Sequence, residues 1–334
     1  MAEMTLMTPE TRAISTERVV LTADDALRLG STIEAALSEK TRATYASQWR
    51  TYSAWLAQRE YVDAFRPEIV AAYLAWVAEN RSPSSVDQAR AAILHYAGQE
   101  NGSVAALLRE HTGIRTTMRG TRRLARGRVV RQARALTKAE IRAMVQTLSR
   151  EDSIRAQHDR ALLLLGLGLG VRGSELVRIR LRDIAEVDGG LDVTIAFSKV
   201  SDEPQVIPVA EVHGLLCPVA ALRTWIQTLA RLGIDGEDDP LFHPIRRGGM
   251  SVAREGLSAP SVTDVLARIA EAAGVRTEGL RSHSLRSTYC TLALAAGFAE
   301  RDVARGRWAE GSAMIHRYNR AEAWENPASG WLGA

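Results

Sequence analysis

Residues 161–184 read "ALLLLGLGLGVRGSELVRIRLRDI". Whether they form a strand opening onto a phosphate loop, or a buried helix ending in a tight turn, decides the fold. Residues 168–173, "GLGVRG", match G-x-G-x-x-G, and Asp188 follows about twenty residues on, as in a dinucleotide-binding fingerprint. That fingerprint needs a preceding strand. Here "HDRALLLLGLG" (158–168) is rich in Ala and Leu, with no β-branched residue before Val171. No succession of βαβ units follows either, as a doubly wound sheet requires. The stretch is therefore read as a buried helix over about 158–170, a glycine-permitted turn, and a short helix from Gly173. Arg172 and Glu175 open that short helix. Glu175 stands one turn from Arg172 and can hold its guanidinium, although a surface Arg–Glu pair accounts for the spacing equally well.

Working outward, "LDVTIAFSKVSDEPQVIPV" (191–209) alternates like two strands joined by a turn at Ser198 to Pro204. Helical patterns follow at about 218–232, 260–273 and 284–296. Upstream, Tyr45, Trp49, Tyr52 and Leu56 recur at helical spacing, with Thr41 as N-cap. Pro67 and Pro83 sit in the favoured first position of two more helices, and a fourth runs from Ser103 into an arginine-rich stretch. The fold class expected is mainly α. Residues 1–37 form a flexible arm, 38–125 a helical bundle with its aromatic stripes as core, and 126–135 a basic linker. Residues 136–320 make a mostly helical second domain with a small antiparallel β-sheet, opened by a Thr137-to-Glu140 capping box. Residues 321–334 are a tail.

Composition narrows the function. The 334 residues, 46% hydrophobic and 25% charged, are those of an ordinary globular chain large enough for two cores. The longest apolar run, 161–171, holds three glycines and is too short to span a bilayer; the opening residues lack the pattern of a secretory signal. Two distant cysteines, Cys217 and Cys290, suggest thiols in a reducing, cytoplasmic compartment. Seven scattered histidines with no i, i+4 pair give no zinc signature, and no carboxylate cluster supplies a two-metal site. Neither metal nor cofactor is expected. Between Glu110 and Glu140 no acidic residue occurs, while Arg stands at 115, 119, 122, 123, 126, 128, 131 and 134. Eight unopposed arginines repel one another unless a polyanion neutralises them, and nucleic acid is the obvious one.

Three further motifs carry chemistry. In "RSHSLRSTYC" (281–290), His283 and Arg286 share a helix face if a helix begins near Ser282 or Ser284. Leu292 and Leu294 would then anchor the helix while its first turn points outward, where a helix N-terminus favours an anion; His283 as a simple cap is the alternative. Of 43 basic residues only Lys40, Lys138 and Lys199 are lysine. Lys199 falls at the hairpin turn, where nearby cations would lower its pKa and let it donate a proton, though three lysines can also fall anywhere by chance. Finally "MIHRYNR" (314–320) presents Tyr318. A free phenol has a pKa of about 10, so ionising it at pH 7 takes roughly 4 kcal/mol, which a site of fixed positive charge or an adjacent base must supply.

The order Arg–x–x–Glu, hairpin Lys, His–x–x–Arg, Trp, Tyr resembles the tyrosine recombinase family, which includes phage integrases and the Xer and Cre-like enzymes. The resemblance covers about residues 38–334, and plan and length are most similar to the simple Cre-type recombinases. It implies a site-specific DNA recombinase that cleaves and rejoins duplex DNA through a 3′-phosphotyrosyl intermediate, without metal or ATP. Residue by residue, it implies that Arg172 and Arg286 clamp the scissile phosphate and Lys199 protonates the departing 5′ oxygen. His283 would move protons to and from the nucleophile Tyr318, Glu175 would brace the site, and Trp308 would donate its indole N–H to the phosphate. Trp308 and Tyr318 are ten apart where the family has about nine. A bulge at Gly311 is expected, with His316 as the alternative occupant of the Trp308 position.

The resemblance also implies two domains clamping duplex DNA, with helices of the bundle in the major groove. Ser84, Gln88 and Arg90 are the expected groove contacts, and Arg119, Arg122, Arg123, Arg126 and Arg128 the backbone contacts. Four protomers would act on two inverted-repeat sites, as monomers or dimers otherwise, with the tail docking on a neighbour through Trp324 and Trp331. No membrane partner is expected, and the implied setting is the nucleoid. A type IB topoisomerase and a non-catalytic DNA-binding relative are the alternatives.

Overall fold

The computed structural model describes Thr22, Asp24, Arg28, Thr32, residues 37–125, 133–196 and 203–305, and Arg307, Trp308 and Ile315. The chain divides between Val129 and Val130 into two compact units. The first holds α1 (Glu39–Gln58), α2 (Pro67–Asn80), α3 (Pro83–Glu100), α4 (Gly102–Glu110) and α5 (Thr112–Leu124). Pro67 and Pro83 take the first helical positions as expected. The cap of α1 is Ser38, not Thr41: its hydroxyl accepts the Thr41 N–H at 3.2 Å. Asn101 caps α4 the same way, accepting the Ser103 N–H at 2.9 Å; such caps contribute about 1 kcal/mol each. The aromatic stripe is core. Tyr52, Trp55 and Tyr73 are buried with Leu74, Val77 and Ile93, and the Tyr52 hydroxyl donates to the Ala64 carbonyl at 2.7 Å. Of the expected arm, Asp24, Arg28 and Thr32 are helical and exposed; most of the rest lies outside the described residues.

The single fourth helix expected from the sequence is two helices, broken at His111, whose ψ of 121° is extended. The reason is phase. α4 buries Ala105 and Leu108, and α5 buries Ile114, Met118 and Thr121. In a continuous helix the six residues from Leu108 to Ile114 would turn about 600°, leaving the two faces about 120° apart. The break returns both to one core.

The second unit contains α6 (Lys138–Leu148), α7 (Ile154–Leu169), α8 (Gly173–Leu176), β1 (Ile184–Val187), β2 (Gly190–Ile195), β3 (Gln205–Ala210), α9 (Pro218–Arg231), α10 (Ser261–Ala272), α11 (His283–Ala295) and α12 (Glu300–Ala304). The Thr137–Glu140 capping box is present. α7 begins earlier than its apolar run because Ser153 accepts the Ala156 N–H at 3.2 Å. The sheet is antiparallel in the order β1-β2-β3, with Val193 opposite Ile184 on one side and Ile207 on the other. β1 is an addition to the expected pair: only Ile184 is half-buried and the other three residues are exposed, so no alternation marks it. α7 is the axis of the unit. Its buried Ala161–Leu165 run and Leu169 share one core with Leu222 and Trp225 of α9, Val193 and Val209 of the sheet, and Leu285 of α11.

Gly166 and Gly170 of "GLGLG" are the surface on which α11 docks, not a phosphate loop. A Cβ at Gly166 would stand 2.6 Å from Leu285 Cδ1, and one at Gly170 would stand 2.3 Å from the Tyr289 ring. Gly170 also has φ +62°, a left-handed helix end that glycine adopts without strain. Residues 134–136, near the end of the expected linker, pack on this unit. The Arg134 N–H bonds the Gly279 carbonyl at 2.9 Å, and the Leu136 N–H bonds Thr288 Oγ1 at 2.8 Å. Residues 126–132 lie outside the described residues. Gly170→Ala is expected to destabilise the chain by about 2–4 kcal/mol, the sum of overpacking and left-handed strain, as read from the midpoint of denaturant unfolding.

Candidate active site

The C-terminal end of α7 organises the site. The last carbonyls of a helix have no partner within it and attract cations. Three of them here meet guanidinium groups. Arg286 Nη1 donates to the Gly170 carbonyl at 3.1 Å, while Arg307 donates through Nε to Leu169 and through Nη2 to Gly168, the latter at 3.4 Å. Arg286 Nη2 also donates to the carbonyl of Arg307. Its guanidinium carbon lies 3.6 Å from the centroid of the Trp308 ring. Arg286 is 1% exposed. Burying a cation costs several kcal/mol unless it is bonded and stacked, and here carbonyls and an indole face supply that compensation.

Beyond Gly170 the chain turns, and Arg172 opens α8. Glu175 grips it twice, accepting the Arg172 N–H at 2.8 Å and its guanidinium Nη1 at 2.6 Å. A Cβ on Gly173 would stand 2.7 Å from Ser282 Cβ, so this turn lies directly against the start of α11. His283 is therefore brought among charged groups. Burial holds its imidazole pKa below the ordinary value, and the Arg286 and Arg172 charges push it further down against Glu175. The contact of Gly173 with Ser282 thus brings the Arg172–Glu175 pair to the start of the helix that carries His283 and Arg286.

One expectation is corrected here. The first turn of α11 does not point outward: Ser284, Leu285, Arg286, Ser287 and Thr288 are all buried, while Leu292 and Leu294 are only half-buried. Leu285 and Tyr289, lying over the α7 glycines, anchor the helix instead. Trp308 is brought to the site, with its ring packed on Arg286. The two guanidiniums also differ in access, since the Arg172 side chain is 26% exposed and Arg286 is sealed. Arg307, which is 8% exposed, was missed, because one more arginine among forty carries no sequence signal. Lys199, Tyr318, His316, Gly311, Trp324 and Trp331 lie outside the described residues. Among the described residues no group of three or more His, Cys, Asp or Glu could hold a metal ion, and no helix is long and apolar enough to cross a membrane.

In the first unit, Arg90, Arg115, Met118, Arg119, Arg122 and Arg123 line a cleft of about 660 Å³. Arg115, Arg119, Arg122 and Arg123, expected within the 38–125 bundle, stand on α5. Arg122 pairs with Asp87 at 3.0 Å and Arg115 with Glu110 at 3.7 Å, both exposed and worth little. The structure separates the expected groove contacts. Exposed Ser84 and Gln88 share a face of α3, whereas half-buried Arg90 turns to the end of α4, donating to the Arg109 carbonyl at 3.4 Å. Arg126 and Arg128 lie outside the described residues.

The depressed His283 pKa has a measurable sign. By NMR, its imidazole is expected to titrate below 6.5, to move up in Arg172→Gln and to move further down in Glu175→Gln. Because the folded value lies below the unfolded one, its contribution to stability is complete above about pH 6.5 and falls away as pH drops towards the folded value.

Residues 134–323, more than half of the chain, match the phage integrase family. A protein of Selenomonas ruminantium described as an integrase/recombinase xerD homolog is 26% identical over 297 residues, covering 86% of this chain and 83% of its own. Among solved structures, the XerH site-specific recombinase in a post-cleavage complex with palindromic difH substrate is similar with a TM-score of 0.58 at 14% identity, covering 87% of this chain and 78% of its own. A lambda integrase tetramer bound to a Holliday junction gives 0.54 at 20% identity, covering 89% and 77%. The structural likenesses establish the fold, and the family match establishes the membership: this chain belongs to the phage integrase family of tyrosine recombinases.

Proposed function

We propose that this chain cleaves and rejoins duplex DNA at inverted-repeat sites through a covalent bond to Tyr318, with Arg172, Glu175, Lys199, His283, Arg286 and Trp308 completing the site. The observation that carries the proposal is the packing of two distant segments, which sets the Arg172–Glu175 pair at Gly173 against the start of the helix bearing His283 and Arg286, itself bonded to the Gly170 carbonyl. Tyr318 Oη attacks the scissile phosphorus, and His283, neutral at pH 7, takes the phenol proton. The bond to the 5′ oxygen breaks, Lys199 protonates that oxygen, and a 3′-phosphotyrosyl ester remains. Attack by a 5′ hydroxyl runs the same steps backwards, so the energy of the broken diester is kept and no ATP is needed.

Arg172, the more exposed cation, meets the non-bridging oxygens. Arg286 adds the field of a charge fixed in a dry interior, where electrostatic stabilisation is strongest. The same field favours phenolate over phenol. Glu175 holds Arg172 in place and Trp308 holds Arg286. The basic cleft of α3 and α5 tracks the phosphate backbone, with Ser84 and Gln88 towards base edges and Arg126 and Arg128 as further contacts to the DNA backbone. Four protomers act on two sites, in the cytoplasm on nucleoid DNA.

A duplex recovered by binding selection from a random-sequence pool, nicked beside its centre, is expected to form a denaturant-stable adduct with the wild-type chain and none with Tyr318→Phe. An adduct that persists in Tyr318→Phe contradicts the assignment, and relaxation of supercoils without site preference would place the chain with the topoisomerases. Replacing Arg119 and Arg123 together by Ala is expected to weaken binding to all sequences alike and to flatten the slope of log affinity against log salt by about two.

A further inference from the structure

Arg307 is a second buried arginine beside the site, and no role in the reaction has been given to it. Its guanidinium is fixed on every side: Nε on the Leu169 carbonyl, Nη2 on Gly168, Nη1 on Arg305 at 3.0 Å, and its carbon 4.3 Å from the centroid of the Tyr289 ring. Its own backbone carbonyl receives Arg286 Nη2, and the residue after it is Trp308, whose ring stacks on Arg286. Arg286 therefore hangs from two carbonyls, Gly170 at the end of α7 and Arg307 beyond α12. The Arg307 side chain ties the second of these to the helix end that bears the first.

We propose that Arg307 is a positioning residue that fixes the orientation of Arg286 by locking its own carbonyl and Trp308 onto the C-terminal end of α7. The inference rests on the reaction proposed above. Without this tie, the carbonyl of residue 307 and the Trp308 ring are free to shift relative to Gly170, and Arg286 loses its fixed aim while keeping its charge. Arg307 touches carbonyls and a ring, all of the protein itself, and so acts on the phosphate only through Arg286. Binding of DNA, which is spread over many phosphate contacts, is left unchanged.

The test compares wild type with Arg307→Met, which keeps length and removes the donors. The substrates are the selected nicked duplex and the same duplex with a methyl group replacing one non-bridging oxygen of the scissile phosphate. That replacement removes a negative charge and with it most of the need for an aimed cation. Arg307→Met is expected to slow cleavage of the ordinary diester about 100-fold, the size of effect that follows from a misplacement of about 1 Å. DNA affinity should stay within about twofold and the defect on the neutral substrate should be much smaller, because only the charged reaction draws on preorganised electrostatics. Equal slowing on both substrates means a merely structural residue and overturns the inference, as does cleavage at the wild-type rate. A wild-type chain that forms no adduct overturns the underlying reaction instead, so the two failures are separable. Should Arg307→Met fail to fold, Arg307→Lys, which keeps the cation but cannot span two carbonyls, carries the same comparison.

Discussion

The bond from the Arg286 guanidinium to the carbonyl of Gly170 is the contact on which the second unit depends. A buried cation is expensive, and a helix end with unpaired carbonyls is expensive too; each here offsets the other. The pairing requires α11 to lie close against α7, which the bare backbone at Gly166 and Gly170 allows. It also requires α7 to stop at Gly170, so that the next turn can present Arg172 beside His283. Docking, turn and charge are thus one constraint seen from three sides.

From that constraint follows the electrostatic character of the site. Burial, and after it the two guanidiniums held near the His283 imidazole, lower its affinity for a proton, and the field of those cations disfavours the neutral form of any phenol brought to it. Glu175 keeps Arg172 in place while leaving the net charge of the cluster positive. The basic cleft of the first unit is a different kind of feature, since its arginines stand on an exposed helix face, suited to a diffuse row of phosphates and not to one reacting group.

Much of this was legible in the residues. Prolines at helix starts, the Thr137–Glu140 box and the alternation of 191–209 report local backbone chemistry, and the structure agrees with them. The Arg172–Glu175 and His283–Arg286 pairs were legible because residues three apart on a helix meet. What escaped was set by tertiary packing. The break at His111 follows from a phase mismatch that only the shared core enforces, and β1 is an edge strand whose exposed residues leave no pattern. The buried first turn of α11 follows from the α7 glycines, which in sequence imitated a nucleotide loop. The stacking of Trp308 on Arg286 and the anchoring by Arg307 join residues more than twenty and more than a hundred positions apart, respectively, and nothing local announces them.

The central claim, that these cations and one phenol converge on a single phosphodiester, is tested most directly by a crystal structure of the full chain bound to its selected duplex before cleavage. The expected result places Tyr318 Oη in line with the scissile phosphorus at about 3–3.5 Å, the near-attack distance, with Arg172, Lys199 and His283 around the same phosphate and Arg286 still hung between the carbonyls of Gly170 and Arg307. A Tyr318 hydroxyl packed in an apolar interior, or an Arg172 guanidinium directed away from the phosphate that His283 faces, would contradict it.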